Sequence, residues 1–514
     1  MSARSRSGTV ETEGACENGV VTVRKVAHPS VDERRAVGRQ ARDRTPAARH
    51  LKWSPAEDRP DPIGLLEEQN VTREPDLVPV RHGRMMVSPF TFYRGAAKIM
   101  AADLNGTPTA GLTVQLCGDA HLSNFGVFAS PERKLLFDLN DFDETLPGPF
   151  EYDVKRMAAS FVIAARNNGF SKADTRAAAL ASVMAYRESM AEFGQTGTMD
   201  IWYAHLDEDQ LMAGVRGAVA QTTVEAKAAK KQPKAAREQA KRKEKLAKTA
   251  SNRAVKNLEK ARTRDSLQAL SKLGEQVDGQ YRIVSQPPIV VPARDLISTY
   301  GISPDEIGQV IREQFRAYRA TLQDDRRHLL ERFQVVDMAR KVVGVGSVGT
   351  RAFIVLLQGR DARDPLFLQI KEATASVLEA HLPKSRYRQH GERVVQGQRM
   401  MQAASDIYLG WTKGVDQNRH FYWRQLRDMK GSVAVESMTP LGLTVYARIC
   451  GWTMARAHAR SGDPIAIAEY LGPDEGFDQA IADFSHRYAD QSERDYQQLL
   501  QAIRSGRLEA REGV

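Results

Sequence analysis

Two short apolar runs in this 514-residue chain lead directly into acidic and amide side chains. The first run, 112–116, precedes Asp119 and Asn124, and the second, 135–139, precedes Asp141. Short apolar runs bounded by turn residues are typical of buried strands. We therefore predict two strands that present carboxylate and amide oxygens at one end, and any fold of this chain must accommodate that cluster.

Such a cluster suits magnesium-dependent chemistry on a phosphorylated nucleotide. Mg²⁺ prefers hard oxygen ligands and usually takes one or two protein carboxylates, with water and phosphate completing its shell. Asn124 and Asp141 are the candidate metal ligands, which leaves Asp119 to accept a proton from an attacking hydroxyl. The alternative is a hairpin whose Asp and Asn side chains only form turns and caps. The second acidic strand end favours a site.

Three short motifs carry a resemblance to a known class of proteins. They are Gly-Asp-x-His-x-x-Asn at 118–124, Asp-Phe-Asp-Glu at 141–144 and Tyr-Asp-Val at 152–154. This series resembles that of aminoglycoside phosphotransferases and other small-molecule kinases of the protein-kinase-like fold. The chain as a whole, including the segment 88–95, resembles a bacterial domain-of-unknown-function family related to them.

The resemblance implies a role for each matching residue. Asp119 is expected to be the catalytic Asp, Asn124 and Asp141 the metal ligands, and Asp153 a structural residue that braces the catalytic loop. The implied cofactors are ATP and Mg²⁺. Cys117 stands where a His often precedes the Gly-Asp pair in that class.

A glycine-rich segment at 344–349 has the spacing Gly-x-Gly-x-x-Gly. A dinucleotide-binding fold needs a helix after these glycines, but the β-branched and aromatic residues that follow predict a strand. Strand, glycine loop, strand, turn and a strand ending in Lys371 is the kinase-type order. The candidate phosphate-binding residues are Gly344, Gly346, Ser347, Gly349 and Lys371. Alternatively, the glycines only shape a tight hairpin and Lys371 is a solvated strand end.

A kinase-like site also needs a carboxylate on a helix to position this lysine. Glu392, near the start of a predicted helix over 391–404, is our choice, and Glu379 is the alternative.

A second open assignment concerns Arg94 in the predicted helix that begins at Phe90. Its favoured role is to pair with a buried carboxylate, and a contact with phosphate is the alternative.

The order of the motifs predicts an unusual topology. The Asp119 loop precedes the glycine loop by more than two hundred residues, whereas ordinary kinases have the reverse order. We therefore predict an α+β, protein-kinase-like two-lobed fold that is circularly permuted, unless one motif set is accidental. The expected division is as follows: a mobile tail over 1–58, a mainly helical catalytic lobe over 59–333, a β-rich nucleotide lobe over 334–430, and helices that return to the catalytic lobe over 431–514.

The net charge of +10 is concentrated in one segment. Residues 224–264 contain 15 Lys and Arg against four Glu, an excess of 11, so the remainder is near neutral. The segment predicts a helical surface insertion interrupted at Pro233, a reading favoured over a docking site for nucleic acid or an acidic protein. The absence of an apolar stretch long enough to cross a bilayer, and three dispersed cysteines, predict a cytoplasmic protein without a membrane partner.

The predicted function is ATP- and Mg-dependent transfer of a phosphoryl group to a hydroxyl of a small molecule. Two alternatives stay open at the level of sequence. One is a nucleotide-binding regulator with little turnover that docks a partner through the basic segment. The other is transfer of AMP, because the same residues would serve with the nucleotide reversed.

Overall fold

The computed structural model describes residues 27–277, 280–295, 304–426 and 428–513. It has the mixed α+β architecture that the sequence predicts. Helices before residue 265 and after residue 440 form one region, and a six-stranded antiparallel sheet forms the centre of the other.

The described residues up to 203 are mainly helical. They are α1 (Val31–Arg44), α2 (Pro62–Asn70), α3 (Val78–Met85), α4 (Pro89–Gly95), α5 (Ala97–Asn105), α6 (Phe150–Asn167), α7 (Lys172–Phe193) and α8 (Thr198–Tyr203). The α6 helix is the centre of this region, since every residue from Phe150 to Ala165 is buried. An all-round buried helix must be covered on every side by other elements.

Helix α1 lies inside the segment predicted to be a mobile tail. Ser30 caps it through a reciprocal pair of hydrogen bonds with Glu33, and the helix packs against the segment Pro464–Leu471. A Cβ on Gly38 would come within 2.4 Å of the Ala466 carbonyl oxygen. Small residues thus allow close backbone packing without a large apolar face, and for this reason the predicted tail is wrong from residue 31 onward.

Five short strands surround the acidic motifs. They are β1 (Thr113–Leu116), β2 (Phe125–Ala129), β3 (Leu135–Leu139), β4 (Leu146–Pro149) and β5 (Leu206–Asp207). The two predicted strands exist as β1 and β3, but they are not hydrogen-bonded to each other: β1 pairs with β4, and β3 pairs with β2 and β5. The segment that carries Asp119 and Asn124 separates β1 from β2.

The basic segment folds as a helical hairpin of α9 (Glu208–Ala228) and α10 (Lys234–Arg262). Pro233 stands at the N-cap of α10, where the missing backbone N–H costs nothing. The buried residues Ala247, Leu258 and Ala261 lie on the inner side of α10, so most of its charged side chains face solvent.

The next elements lead into the large sheet. They are α11 (Ser266–Leu273), β6 (Gly274–Val277), β7 (Gln280–Ile283), β8 (Val290–Pro292), α12 (Pro304–Arg319) and α13 (Asp324–Leu330). Helix α12 covers the sheet, and the Tyr318 ring stacks on Trp423 with ring centroids 4.4 Å apart.

The large sheet continues with β9 (Gln334–Lys341), β10 (Ala352–Gln358), β11 (Pro365–Ala373), β12 (Gly410–Lys413) and β13 (His420–Gln425). Its spatial order is β8-β9-β10-β11-β13-β12, with every neighbouring pair antiparallel. The helix α14 (His390–Met401) connects β11 to β12 in sequence and packs against β12 and β13.

Three C-terminal helices complete the fold: α15 (Pro440–Ser461), α16 (Pro464–Leu471) and α17 (Gly476–Arg504). Helix α15 packs along α7, and α17 packs against α6 and α7. The last part of the chain therefore shares a core with the first part. Of the helices in the described ranges, none combines the length and apolar character of a membrane span.

Candidate active site

One cavity of about 750 Å³ joins the two sets of sequence motifs. Asp119, Asn124 and Asp141 line it from the acidic loops, and Gly344, Gly346 and Ser347 line it from the glycine loop. The tertiary structure thus brings together residues that are more than two hundred positions apart. Lys371 lies at the base of this group, because its ammonium contacts Asp141.

Asp119 follows a glycine that the local backbone requires. Gly118 has φ +85°, and a Cβ there would come within 2.2 Å of the Glu144 carbonyl oxygen. The Asp119 carboxylate is paired with the buried Arg156 guanidinium at 2.6 Å and keeps 20% of its side-chain surface exposed. A fixed but accessible carboxylate can hydrogen-bond to a molecule in the cavity.

His121 also lines the cavity, with its Nε2 atom 3.8 Å from the Asp119 carboxylate. Burial lowers the pKa of His121 to about 3, although Asp119 acts in the opposite direction. The imidazole is therefore neutral near pH 7, and Arg156 is the cation that balances Asp119.

Asp153 holds the loop that carries Asp119. Its two carboxylate oxygens accept hydrogen bonds from the backbone N–H groups of Cys117 and Gly118, at 2.6 and 2.9 Å. His458 lies 3.3 Å from the same carboxylate through Nε2. A fully buried carboxylate with these partners is a fixed support for the loop.

Replacing Asp153 with Asn is expected to lower the free energy of unfolding by roughly 2 to 3 kcal/mol, because an amide can accept only one of the two N–H bonds and leaves the other donor unsatisfied. Chemical denaturation measures this difference. Asp490→Asn, on the exposed side of α17, is the matched control and should be nearly neutral. An equal effect of both substitutions would contradict the bracing role of Asp153.

The two predicted metal ligands line the same cavity as Asp119. The Asn124 side-chain amide nitrogen donates to the Asp119 backbone oxygen at 2.6 Å, so the amide oxygen is the atom that the predicted metal would contact. Asp141 is partly exposed and lies 3.5 Å from the Lys371 ammonium. In the described part of the chain, no group of three or more His, Cys, Asp or Glu side chains is placed to hold a metal, so a bound Mg²⁺ would take its other ligands from water and phosphate.

Lys371 is buried and pairs with two carboxylates of the acidic motif. Its Nζ atom lies 2.6 Å from Asp143 and 3.5 Å from Asp141. Burial disfavours the ammonium, but the two carboxylates outweigh this cost and raise the pKa of Lys371. Burial raises the pKa of Asp141, and the nearby Asp143 carboxylate raises it further. Burial acts in the same direction on Asp143, but Lys371 outweighs it and holds the pKa of Asp143 below its ordinary value.

Glu392 is not the partner of Lys371. Within the described residues, the ion pairs of Lys371 are those with Asp141 and Asp143. The register of α14 directs the next residue, Arg393, inward instead, where it donates to the carbonyl oxygens of Asp143, Thr145 and Thr374. Glu379, the alternative partner, lies 3.9 Å from Arg393. The helix therefore supports the acidic loop through a cation, and the loop supplies the carboxylate for Lys371.

The glycine loop connects β9 to β10, as the sequence predicts. Gly344 and Gly349 adopt φ of +72° and +89°, which glycine tolerates without strain. A Cβ on Gly346 would come within 3.0 Å of the Arg94 carbonyl oxygen, so the loop passes close over the end of α4. Gly349 and Lys371 do not line the cavity among the described residues.

Hydrogen bonds from the segment 73–84 hold this loop in place. Arg84 donates to the Gly344 oxygen at 2.6 Å, and the Glu74 N–H donates to the Gly349 oxygen at 2.7 Å. Arg73 donates to the Val348 oxygen. Three carbonyl groups of the loop, at Gly344, Val348 and Gly349, thus have partners in the protein.

Sequence reasoning missed three residues of the site: Asp143, Arg156 and Arg393. The second Asp of the Asp-Phe-Asp-Glu motif was a visible signal for the partner of Lys371. Arg156 and Arg393 lie on helices without a distinctive local pattern, so only the tertiary contacts identify them.

A family model matches most of this chain, over residues 73–257 and 234–502. The matched ranges contain both sets of motifs. Comparisons with curated proteins and with solved structures gave no match. The chain belongs to the bacterial family described as "Uncharacterized protein conserved in bacteria (DUF2252)".

Proposed function

We propose that this protein transfers the terminal phosphoryl group of ATP to a hydroxyl of a small molecule. The observation that carries the proposal is the shared cavity, in which Asp119, Asn124 and Asp141 face the glycine loop at Gly344 and Gly346. Two motif sets that matched by chance would not be expected to line the same cavity.

The reaction follows from the position of each group. The acceptor oxygen attacks the γ-phosphorus, its proton passes to the Asp119 carboxylate, and the bond between the γ-phosphorus and the bridging oxygen breaks to release ADP. Arg156 holds Asp119 in place through hydrogen bonds at 2.8 Å and shorter. Positioning and charge stabilisation supply most of the catalysis in this class of reaction.

The residues present fit a magnesium ion and a triphosphate. Asn124 and Asp141 would hold Mg²⁺, which neutralises phosphate charge when bound. Backbone N–H groups of 344–349 would bind phosphate oxygens, since the carbonyl groups of Gly344, Val348 and Gly349 already have partners in the protein. The Lys371 ammonium would interact with the α and β phosphates while it keeps its ion pair with Asp143.

The architecture supports a permuted protein-kinase-like fold as part of this proposal. Strands β9 and β10 flank the glycine loop, β11 ends in Lys371, and α14 follows β11 before β12 and β13, as in a kinase nucleotide lobe. The Asp119 loop lies in the helical region that precedes this lobe in sequence. A permutation changes only connections between elements, so the same site can be assembled from either order.

Binding of Mg-ATP to the wild-type protein tests the proposal. A ligand at about 100 times its Kd should raise the free energy of unfolding by roughly 2.7 kcal/mol, which thermal unfolding with and without Mg-ATP detects. Hydroxyl compounds can then be screened, and the mass of the product distinguishes a phosphorylated from an adenylylated acceptor. No stabilisation at millimolar Mg-ATP would refute the proposal.

A further inference from the structure

Arg94 is a cation of the cavity that forms no ion pair with the described residues. It lies in α4, and its side chain lines the cavity together with Asp119 and Gly346. The buried Nε atom has no hydrogen-bond partner among the described residues. The sequence favoured a buried carboxylate as its partner, but no ion pair of Arg94 occurs within the described ranges. The residue as a whole is half-buried, so a guanidinium that is partly removed from water faces the cavity without a carboxylate to balance its charge.

The acidic residues around the cavity already have other partners. Most pair with a cation of the protein: Asp119 with Arg156, Asp141 and Asp143 with Lys371, Glu68 with Lys98, Glu372 with Arg351, and Glu379 with Arg393. Glu144 instead accepts a hydrogen bond from the Val377 N–H. Burial lowers the pKa of Arg94, with Asp119 acting in the opposite direction. The guanidinium stays charged nevertheless, so its positive charge is available to an anionic ligand.

The position of Arg94 indicates which part of a ligand it contacts. Its carbonyl oxygen lies directly beneath Gly346, where a Cβ would come within 3.0 Å. The preceding residue, Tyr93, is joined to Asp119 through Arg156, which donates to the Tyr93 carbonyl at 2.8 Å and stacks 3.9 Å from its ring. Arg94 therefore stands between the loop that would hold the phosphates and the carboxylate that would face the acceptor.

Neighbouring contacts hold the end of α4 in this place. The fully buried Arg81 donates to the Gly95 carbonyl oxygen at 3.2 Å and to the side chains of Gln69 and Asn70 at 2.9 Å. The backbone beside Arg94 is thus fixed by another arginine, and the Arg94 side chain is not needed for that purpose.

We propose that Arg94 binds the γ-phosphoryl group of the nucleotide and stabilises its charge as it moves from ADP to the acceptor. This inference rests on the proposed function and adds a residue to it. The guanidinium donates hydrogen bonds to the phosphoryl oxygens and neither gains nor loses a proton. A planar, permanently charged donor suits these oxygens, and a guanidinium placed this way in the same chain replaces one supplied by a partner.

The test compares two nucleotides that differ by the γ-phosphate. Dissociation constants for Mg-ADP and for the magnesium complex of β,γ-imido-ATP are measured by calorimetry in the wild type and in Arg94→Met. We expect the wild type to prefer the triphosphate, and Arg94→Met to lose about tenfold or more of that preference while its affinity for ADP is unchanged, since a charged hydrogen bond contributes about this factor.

Two further variants complete the experiment. Arg94→Lys keeps the positive charge but not the planar guanidinium, so it should retain part of the preference for the triphosphate. If Arg94→Met does not fold, Arg94→Lys replaces it in the comparison. Arg166→Met, an exposed arginine at the end of α6, should behave as the wild type. Because no acceptor is present, any loss reports on the nucleotide phosphate and not on an anionic acceptor.

The outcomes separate this inference from the proposed function. A wild type that binds neither nucleotide refutes the proposed function and the inference with it. A wild type that binds both nucleotides equally, or an Arg94→Met variant that keeps the full preference for the triphosphate, overturns the role of Arg94 alone.

Discussion

Asp119→Asn is expected to lower phosphoryl transfer about 10²- to 10⁴-fold, which is the usual contribution of a positioned general base. The amide has the same shape and can still accept a hydrogen bond from Arg156, but it cannot take the acceptor proton. Binding of Mg-ATP should change little, because the glycine loop and Lys371 are untouched. The rate is measured with a hydroxyl acceptor found by the screen, and binding by thermal unfolding.

Asp490→Asn provides the control for this loss, since it makes the same chemical change on the exposed surface of α17. Full turnover by Asp119→Asn would remove Asp119 from the reaction. Loss of both turnover and nucleotide binding would instead show that the substitution disturbs the loop held by Asp153.

Lys371→Ala is expected to abolish most of the stabilisation by Mg-ATP, roughly 2.7 kcal/mol at about 100 times the Kd. Lys371 is the cation that the proposed function assigns to the α and β phosphates, and it is 3% exposed. The substitution also removes the cation that pairs with Asp143, which keeps a hydrogen bond from Tyr422, so the free protein is destabilised as well. The quantity to compare is therefore the increment produced by Mg-ATP, not the melting temperature itself.

Lys413→Ala, an exposed lysine of β12 in the same sheet, is the matched control and should keep the full increment. If Lys371→Ala does not fold, the double substitution Lys371→Met with Asp143→Asn removes both charges of the pair. A full Mg-ATP increment in either Lys371 variant would contradict the phosphate-binding role of Lys371.

The local elements of the site followed from local patterns. The alternation of apolar runs and turn residues predicted β1 and β3, and the β-branched residues after Gly349 predicted β10 instead of a helix. The pairing of β1 with β4 was not predictable, because β4 is a four-residue segment with two prolines, Leu146–Pro149. Its strand character depends on its neighbour more than on its own residues.

The error at Glu392 has a similar origin. A helix start with a carboxylate is a common local pattern, but which side chain faces the sheet depends on how the helix is rotated against its neighbours. One residue along a helix turns the side chain by about 100°. This rotation places Arg393 inward, and Asp143 instead of Glu392 forms the ion pair with Lys371.

The amino-acid sequence alone determined which chemical groups this chain can offer: the acidic loop around Asp119, the glycine loop and a lysine at the end of a strand. These depend on local spacing, which strand and turn geometry translate directly into structure. Only the tertiary structure decided that the acidic loop and the glycine loop line one cavity, that Asp143 is the counter-ion of Lys371, and that Arg94 has no ion pair among the described residues. Such pairings join residues far apart in sequence, and burial and packing of the whole chain select them.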